Sequence, residues 1–271
     1  MHLGPARLRF VIATIVAVIA GCQDRPAPLF DESAGRWIDL SHAYDEDTIY
    51  WPTDSLGFQL EELAYGETPG GFFYSAYRFS TAEHGGTHLD APVHFSSDGR
   101  TADAIPVEQL IGPAVVVDVT DSASPDYLIT IADIETHEAA HGEIPDDTIV
   151  LLRTGWGSQW NDRAAYIGTP LTGQAAIPEL HFPGLDPAAA RWLVDHRNVD
   201  AVGIDTPSID YGRSAQFAAH VALAGDDVAI FENVANLDQL PTTGAFIVAL
   251  PMKIGGGSGA PVRIAAFVPA H

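Results

Sequence analysis

Cysteine is nearly absent: Cys22 is the only one in 271 residues. No disulfide can form within the chain, and the folded part has no thiol nucleophile. Positive charge is scarce as well. Lys and Arg total 13 against 36 Asp and Glu, the formal charge is −23, and Lys253 is the single lysine. Phosphate binding depends on neutralisation by Lys and Arg, so no nucleic-acid partner is expected. The apolar run from Phe10 to Ala20 is too short to cross a bilayer as a stable helix. Internal repeats, long linkers and charge blocks are also missing. What is present is a 46% hydrophobic composition, enough for one well-buried domain.

The N-terminus reads as an address. Arg7 and Arg9 precede the apolar run, and Ile19-Ala20-Gly21-Cys22 closes it, the layout of a secretory leader. These four residues resemble the lipobox of bacterial lipoproteins, in which the cysteine becomes the lipidated first residue. The expected organisation is a signal peptide over 1–21, a tether over 22–36 containing Pro26 and Pro28, and a folded domain over 37–271. The expected location is outside the cytoplasm, as a cell-envelope lipoprotein held to the membrane by its lipid alone.

The richest stretch for chemistry runs from His84 to Phe95 and holds His84, His88, Asp90 and His94. Gly85 and Gly86 interrupt any helix, and Pro92 disfavours the α conformation at Ala91. On an extended path His88 and Asp90 share a face, and the glycine pair lets His84 fold back toward them. Imidazole plus carboxylate without thiolate suits a borderline divalent ion such as Zn²⁺, Mn²⁺ or Fe²⁺ rather than Ca²⁺.

Elsewhere the pattern predicts β structure and loops in the first third, then alternating strands and helices. A short helix is expected over Ile105 to Ile111 and a buried strand over Val115 to Val119. Thr130 and Asp133 have capping-box spacing for a helix ending at Gly142, and Asp186-Pro187 opens another through Arg197. Strands are expected at Thr148 to Thr154, Val199 to Thr206, Val228 to Val234, Phe246 to Ile254 and Val262 to Val268, with a helical Phe217 to Ala224 between them. The fold class is α/β, a single domain with a mixed sheet.

Two other motifs compete for attention. His137, Glu138 and His141 match H-E-x-x-H, in which two helical histidines bind Zn²⁺. The helix ends directly after His141, the extended form is missing because Ile144 and Asp147 occupy its places, and no third ligand follows; the motif reads as a solvated helix face. Gly255 to Gly259 lacks the Lys-Ser/Thr of a P-loop and precedes a strand, so it reads as a flexible turn. His220 in an apolar helical stretch and Glu232 in an apolar run are different, because a carboxylate there needs a charged partner or a metal.

The segment H-x-G-T-H-x-D-x-P-x-H resembles the signature of the metal-dependent cyclase family, which includes bacterial kynurenine formamidase and isatin hydrolase. The likeness extends to Trp51-Pro52, to Leu152 to Trp156, to Phe182 to Leu185, to Gly203 to Ser208, and to the His220/Glu232 pair. The resemblance implies a swivelling β/β/α fold and a homo-oligomer, a homodimer or homotetramer whose subunits complete one another's pockets. It implies that His84, His88 and Asp90 bind one divalent ion, Zn²⁺ or Mn²⁺, and that Asp90, His220 and Glu232 bind a second or complete a single site. His94 would be the acid/base.

A divalent ion with an open position acidifies its water and polarises a carbonyl, so hydroxide can attack an amide without a protein nucleophile. His94 could take the proton and pass it to the departing nitrogen. Tyr50, Trp51, Phe95 and Trp156 would give an uncharged pocket for a small aromatic amide. The expected reaction is hydrolysis of a C–N amide bond in an aryl formamide or a cyclic aryl amide. The alternative is an anchored lipoprotein that captures a metal or small solute without turnover.

Overall fold

The computed structural model describes residues 34–270. In chain order the elements are β1 (Gly35–Asp39), β2 (Gln59–Glu67), β3 (Phe73–Ser80), β4 (His88–Asp90), β5 (Ile111–Asp118), β6 (Leu128–Ile129), α1 (Ile131–His141), β7 (Ile149–Arg153), α2 (Arg163–Ile167), β8 (Gly184–Leu185), α3 (Pro187–Arg197), β9 (Ala201–Ile204), α4 (Ala218–Ala224), β10 (Ala229–Glu232), β11 (Thr243–Pro251) and β12 (Gly259–Pro269). The leader, Cys22 and most of the tether lie outside the described residues. Gly35 and Arg36 already belong to β1, which pairs with the end of β12. Among the described residues no helix is long and apolar enough to cross a membrane.

The main sheet runs β1-β12-β11-β5-β7-β9-β10-β4, and β4 pairs back onto β12. Every strand of this sheet except β1 therefore belongs to a closed ring, which removes the free edges that an open sheet would expose. Strands β5, β7, β9 and β10 are parallel to their neighbours in that row, while β4, β11 and β12 pair antiparallel. The mixed sheet of a single α/β domain is the architecture expected from the sequence.

Side-chain alternation sorts the apolar residues into two cores. Leu89, Val116, Leu151, Phe231 and Ile247 fill the ring. Val115, Val117, Val150, Leu152 and Ile230 point outward against Ile134 of α1, Leu193 of α3 and Leu223 of α4. Burial on both faces explains why the parallel strands read as unbroken apolar runs. The caps work as their spacing predicts: Thr130 and Asp133 complete a capping box, and the Asp186 side chain accepts from the Ala188 N–H at 2.7 Å.

One local expectation changes here. Ile105 to Ile111 is not an α-helix: a short 3₁₀ turn covers Val107–Leu110, and Ile111 already begins β5. Four residues between Pro106 and the strand leave no room for α-helical turns. The β2–β3 hairpin forms a separate two-stranded sheet, and Leu60, Tyr65, Phe72, Phe73, Tyr74 and Phe79 on or beside it are exposed.

Candidate metal centre

Gly86 turns the chain through the left-handed region, φ +56°, which a residue without Cβ adopts at no steric cost. β4 follows at once. Its period of two sends Leu89 into the ring and leaves His88 and Asp90 on the outer face. β10 lies beside it with Glu232 opposite His88, so a strand distant in sequence delivers a carboxylate to the same face. α4 packs over these strands and adds His220. Pro92 then starts a 3₁₀ turn, Pro92–His94, that folds His94 back until its ring stacks on His84, centroids 3.8 Å apart.

The inward atoms lie close together. His84 Nδ1 is 2.6 Å from Asp90 Oδ1, and His88 Nε2 is 3.1 Å from the same oxygen and 3.5 Å from Glu232 Oε2. His220 Nε2 is 3.1 Å from both Asp90 Oδ2 and Glu232 Oε1. Two overlapping sets result, His84/His88/Asp90 and Asp90/His220/Glu232, each with its donor atoms within 4.8 Å of one another. The outward nitrogens are anchored. His88 Nδ1 donates to the Gly86 carbonyl at 3.0 Å and His220 Nδ1 to Asp210 Oδ2 at 2.7 Å, while His84 Nε2 meets Ser258 Oγ at 2.9 Å. Tying the far nitrogen fixes ring orientation and leaves a lone pair for an ion.

A cation fits this arrangement. His88 Nε2 is buried and has no hydrogen-bond partner, a costly state unless something else occupies its lone pair. Electrostatics agree. Burial by itself would lower the His88 pKa, but the Asp90 carboxylate beside it, with the charge of Glu232, raises it to about 9. Burial opposes charge on His220 too, yet hydrogen bonds to Asp210, Asp90 and Glu232 hold its pKa well above the usual histidine range. Burial would raise Asp90, and the surrounding histidines outweigh it, keeping the carboxylate well below its ordinary value. The pocket draws positive charge to itself, which a divalent ion supplies without protonating its ligands.

Beside this cluster lies a cavity of about 330 Å³ lined by Tyr50, Trp51, Phe95, Phe217 and His94. Burial lowers the His94 pKa to about 4, so the ring is neutral and able to accept a proton at neutral pH. Trp156, expected in the pocket, is not there. Its indole packs with the core group around Tyr166 and Phe182, and Nε1 donates to the Tyr166 carbonyl at 2.8 Å. Phe217, expected inside a helix, instead precedes α4 at φ +48°. That strained backbone turns its ring against Phe95, 5.4 Å between centroids, where helical periodicity would not have placed it.

Sequence reasoning also missed Asp210 and Asn233. Asp210 is buried and accepts from the Ala219 and His220 amides and the Ser214 hydroxyl as well as from the His220 ring. The available signal was only an aspartate ten residues before His220, just after Gly203 to Ser208. Asn233 donates to the Gly86 carbonyl at 2.7 Å and accepts from Tyr166, stitching the end of β10 to the turn before β4. The H-E-x-x-H helix is less solvated than expected. His137 is 7% exposed, and Glu138 is engaged by Arg197 at 2.6 and 2.8 Å and by the Ile144 amide. Its carboxylate braces α1 against α3 and is not available to activate water.

Known proteins are similar to this chain in sequence and fold. Isatin hydrolase of Roseibium aggregatum is 35% identical over 223 residues, 78% of this chain and 81% of its own length. Kynurenine formamidase of Bacillus anthracis is 28% identical over 228 residues, 84% of this chain and 95% of its own. The crystal structure of an isatin hydrolase bound to the product analogue thioisatinate superposes with a TM-score of 0.78 at 29% identity, covering 88% of this chain and 94% of that one. Residues 38–211 match the Cyclase family, described as putative cyclase. A match over that span, with relatives aligned along most of their length, means that the chain belongs to the Cyclase family.

Proposed function

We propose that this protein is a metal-dependent amide hydrolase that opens the C–N bond of a small aryl amide. The observation that carries the reading is the convergence of His84, His88, Asp90, His220 and Glu232 beside a cavity walled by aromatic side chains. His84, His88, Asp90, His220 and Glu232 would hold a divalent ion, Zn²⁺ or Mn²⁺, which would acidify water and polarise the amide carbonyl. The residues do the rest. Trp51, Phe95 and Phe217 hold a flat ring. The neutral His94 ring accepts the proton of the attacking water and returns it to the nitrogen that leaves. Burial keeps His94 neutral between turnovers.

Within this class a cyclic aryl amide of the isatin type is the first substrate we assign. The relative named for that reaction is 35% identical, against 28% to 31% for the formamidases; an aryl formamide is the second. Capture without turnover, the alternative raised by the sequence, gains no support, since the relatives spanning this chain are named for hydrolysis. The test is turnover of isatin and of N-formylkynurenine by the wild type and by His94→Ala. The reading requires at least one substrate to be hydrolysed by the wild type and lost in the variant; no turnover across a panel of aryl amides would end it.

Self-association through the exposed aromatic hairpin β2–β3 is also part of our reading, because an isolated two-stranded ribbon bearing this much apolar surface is poorly stable alone. Sedimentation of Phe73→Ser/Phe79→Ser against the wild type checks it, with a shift toward monomer expected. Lipidation at Cys22 and export to the cell envelope complete the proposal. They are checked by loss of fatty-acid incorporation and of membrane association in Cys22→Ser.

A further inference from the structure

The Gly255 to Gly259 loop belongs to the metal centre by way of one side chain. Ser258 Oγ lies 2.9 Å from His84 Nε2 and 2.6 Å from Glu83 Oε2, and the Ser258 amide donates to the same Glu83 oxygen at 3.0 Å. The loop that carries it is held in place. Its carbonyls accept from Ala91 and Ala102, each at 2.9 Å, and the Gly256 amide donates to Asp103 at 2.9 Å. Gly259 is required for the approach: a Cβ there would sit 2.5 Å from His84 Cε1 and 2.6 Å from the Leu89 carbonyl. A loop that reads as a flexible turn is built to bring a hydroxyl against one ring.

His84 is the histidine of the cluster that needs such help. His88 and His220 are buried, with side chains 3% and 4% exposed, whereas the His84 side chain is 25% exposed. An imidazole at the rim can rotate or change tautomer unless its outer nitrogen is tied. With a metal ion taking the Nδ1 lone pair, in place of a proton shared with Asp90 2.6 Å away, the ring proton belongs on Nε2, where Ser258 Oγ accepts it. The Ser258 hydroxyl hydrogen then goes to Glu83. Each link leaves the next a single orientation.

We infer that Ser258 and Glu83 are positioning residues that lock His84 in the Nε2–H tautomer and so present Nδ1 to the metal. The inference rests on the metal-centre reading above. It differs from a packing role because the hydroxyl and its acceptor act as one chain, and breaking either link frees the same ring.

The experiment measures Zn²⁺ affinity of the purified protein by competition with a chromophoric chelator, together with ¹⁵N shifts of the His84 ring. Ser258→Ala and Glu83→Ala should each weaken Zn²⁺ binding by about tenfold or more, the range for lost support of a ligating histidine, and should shift the ring nitrogens toward mixed tautomers. The double variant should be no weaker than Ser258→Ala. Glu83→Gln, which keeps an acceptor oxygen, should retain most of the affinity. Gly255→Ala, where an added Cβ meets nothing within 4 Å, should match the wild type. Glu83 is partly exposed, so its variants report even if Ser258→Ala misfolds. Zn²⁺ affinity within about twofold of wild type in both alanine variants, with unchanged ring shifts, would overturn the inference. A wild type that binds no Zn²⁺ would instead overturn the metal-centre reading beneath it.

Discussion

The turn of helix from His137 to His141 and the segment from His84 to His94 each carry histidines and a carboxylate at spacing that suits a metal. Their surroundings differ in two ways. The first pair stands on one helix with ring centroids 4.9 Å apart, and its Glu138 is spent on Arg197 and a backbone amide. The second gathers donors from β4, β10 and α4, and anchors at least the His88 and His220 rings by their outer nitrogens, leaving His88 Nε2 buried without a partner. A local motif supplies candidate ligands. A site also needs a third element to complete the set and acceptors behind the rings to hold them.

Replacing Asp90, which touches all three histidines of the cluster, should widen this contrast most. Asp90→Asn is expected to lose both bound metal and turnover, read by elemental analysis and an amide-hydrolysis assay, while His137→Ala keeps both. His94→Ala separates holding from chemistry: metal content stays and kcat falls by about 10²- to 10⁴-fold, the usual contribution of a positioned acid/base group. Glu138→Ala probes the other half of the comparison. Loss of a partly buried charged pair should cost about 1–3 kcal/mol in chemical denaturation, with metal content unchanged. Phe217→Ala removes one pocket wall and should lower kcat/KM by roughly fivefold to tenfold, in line with about 1 kcal/mol for an aromatic contact.

The smallest effect concerns His42, away from both motifs. Its ring stacks on Trp160 at 3.7 Å, and burial lowers its pKa to about 4. The unfolded chain takes up a proton near the ordinary value of about 6.5 that the fold refuses. The stability linked to this group is therefore intact above that value and is lost as pH falls from 6.5 toward 4. His42→Phe should flatten that part of a stability–pH curve.

Much of the site could be read from the chain, for physical reasons that vary by residue. His88 and Asp90 share a face because a strand alternates, and Pro92 does bend the chain, as a residue without an N–H must. His220 and Glu232 stood out because charge in apolar sequence needs a partner. Three features were not legible. Phe217 reaches the cavity through a left-handed backbone that no helical pattern encodes. Trp156 is drawn into the Tyr166 core by an indole hydrogen bond that tertiary packing alone creates. Ser258 matters only because the ring closes through the β4–β12 pairing, which puts a loop 174 positions away beside His84. The buried strands of the mixed sheet were evident from their apolar runs; the closure of the sheet was not, since β4 is three residues long.

Chelation and metal return test the central claim most directly. Protein stripped with a chelator and dialysed should hydrolyse neither isatin nor N-formylkynurenine, and adding Zn²⁺ or Mn²⁺ should restore turnover in the wild type but not in Asp90→Asn. Full turnover in the stripped wild type, or restoration in Asp90→Asn equal to that of the wild type, would contradict it.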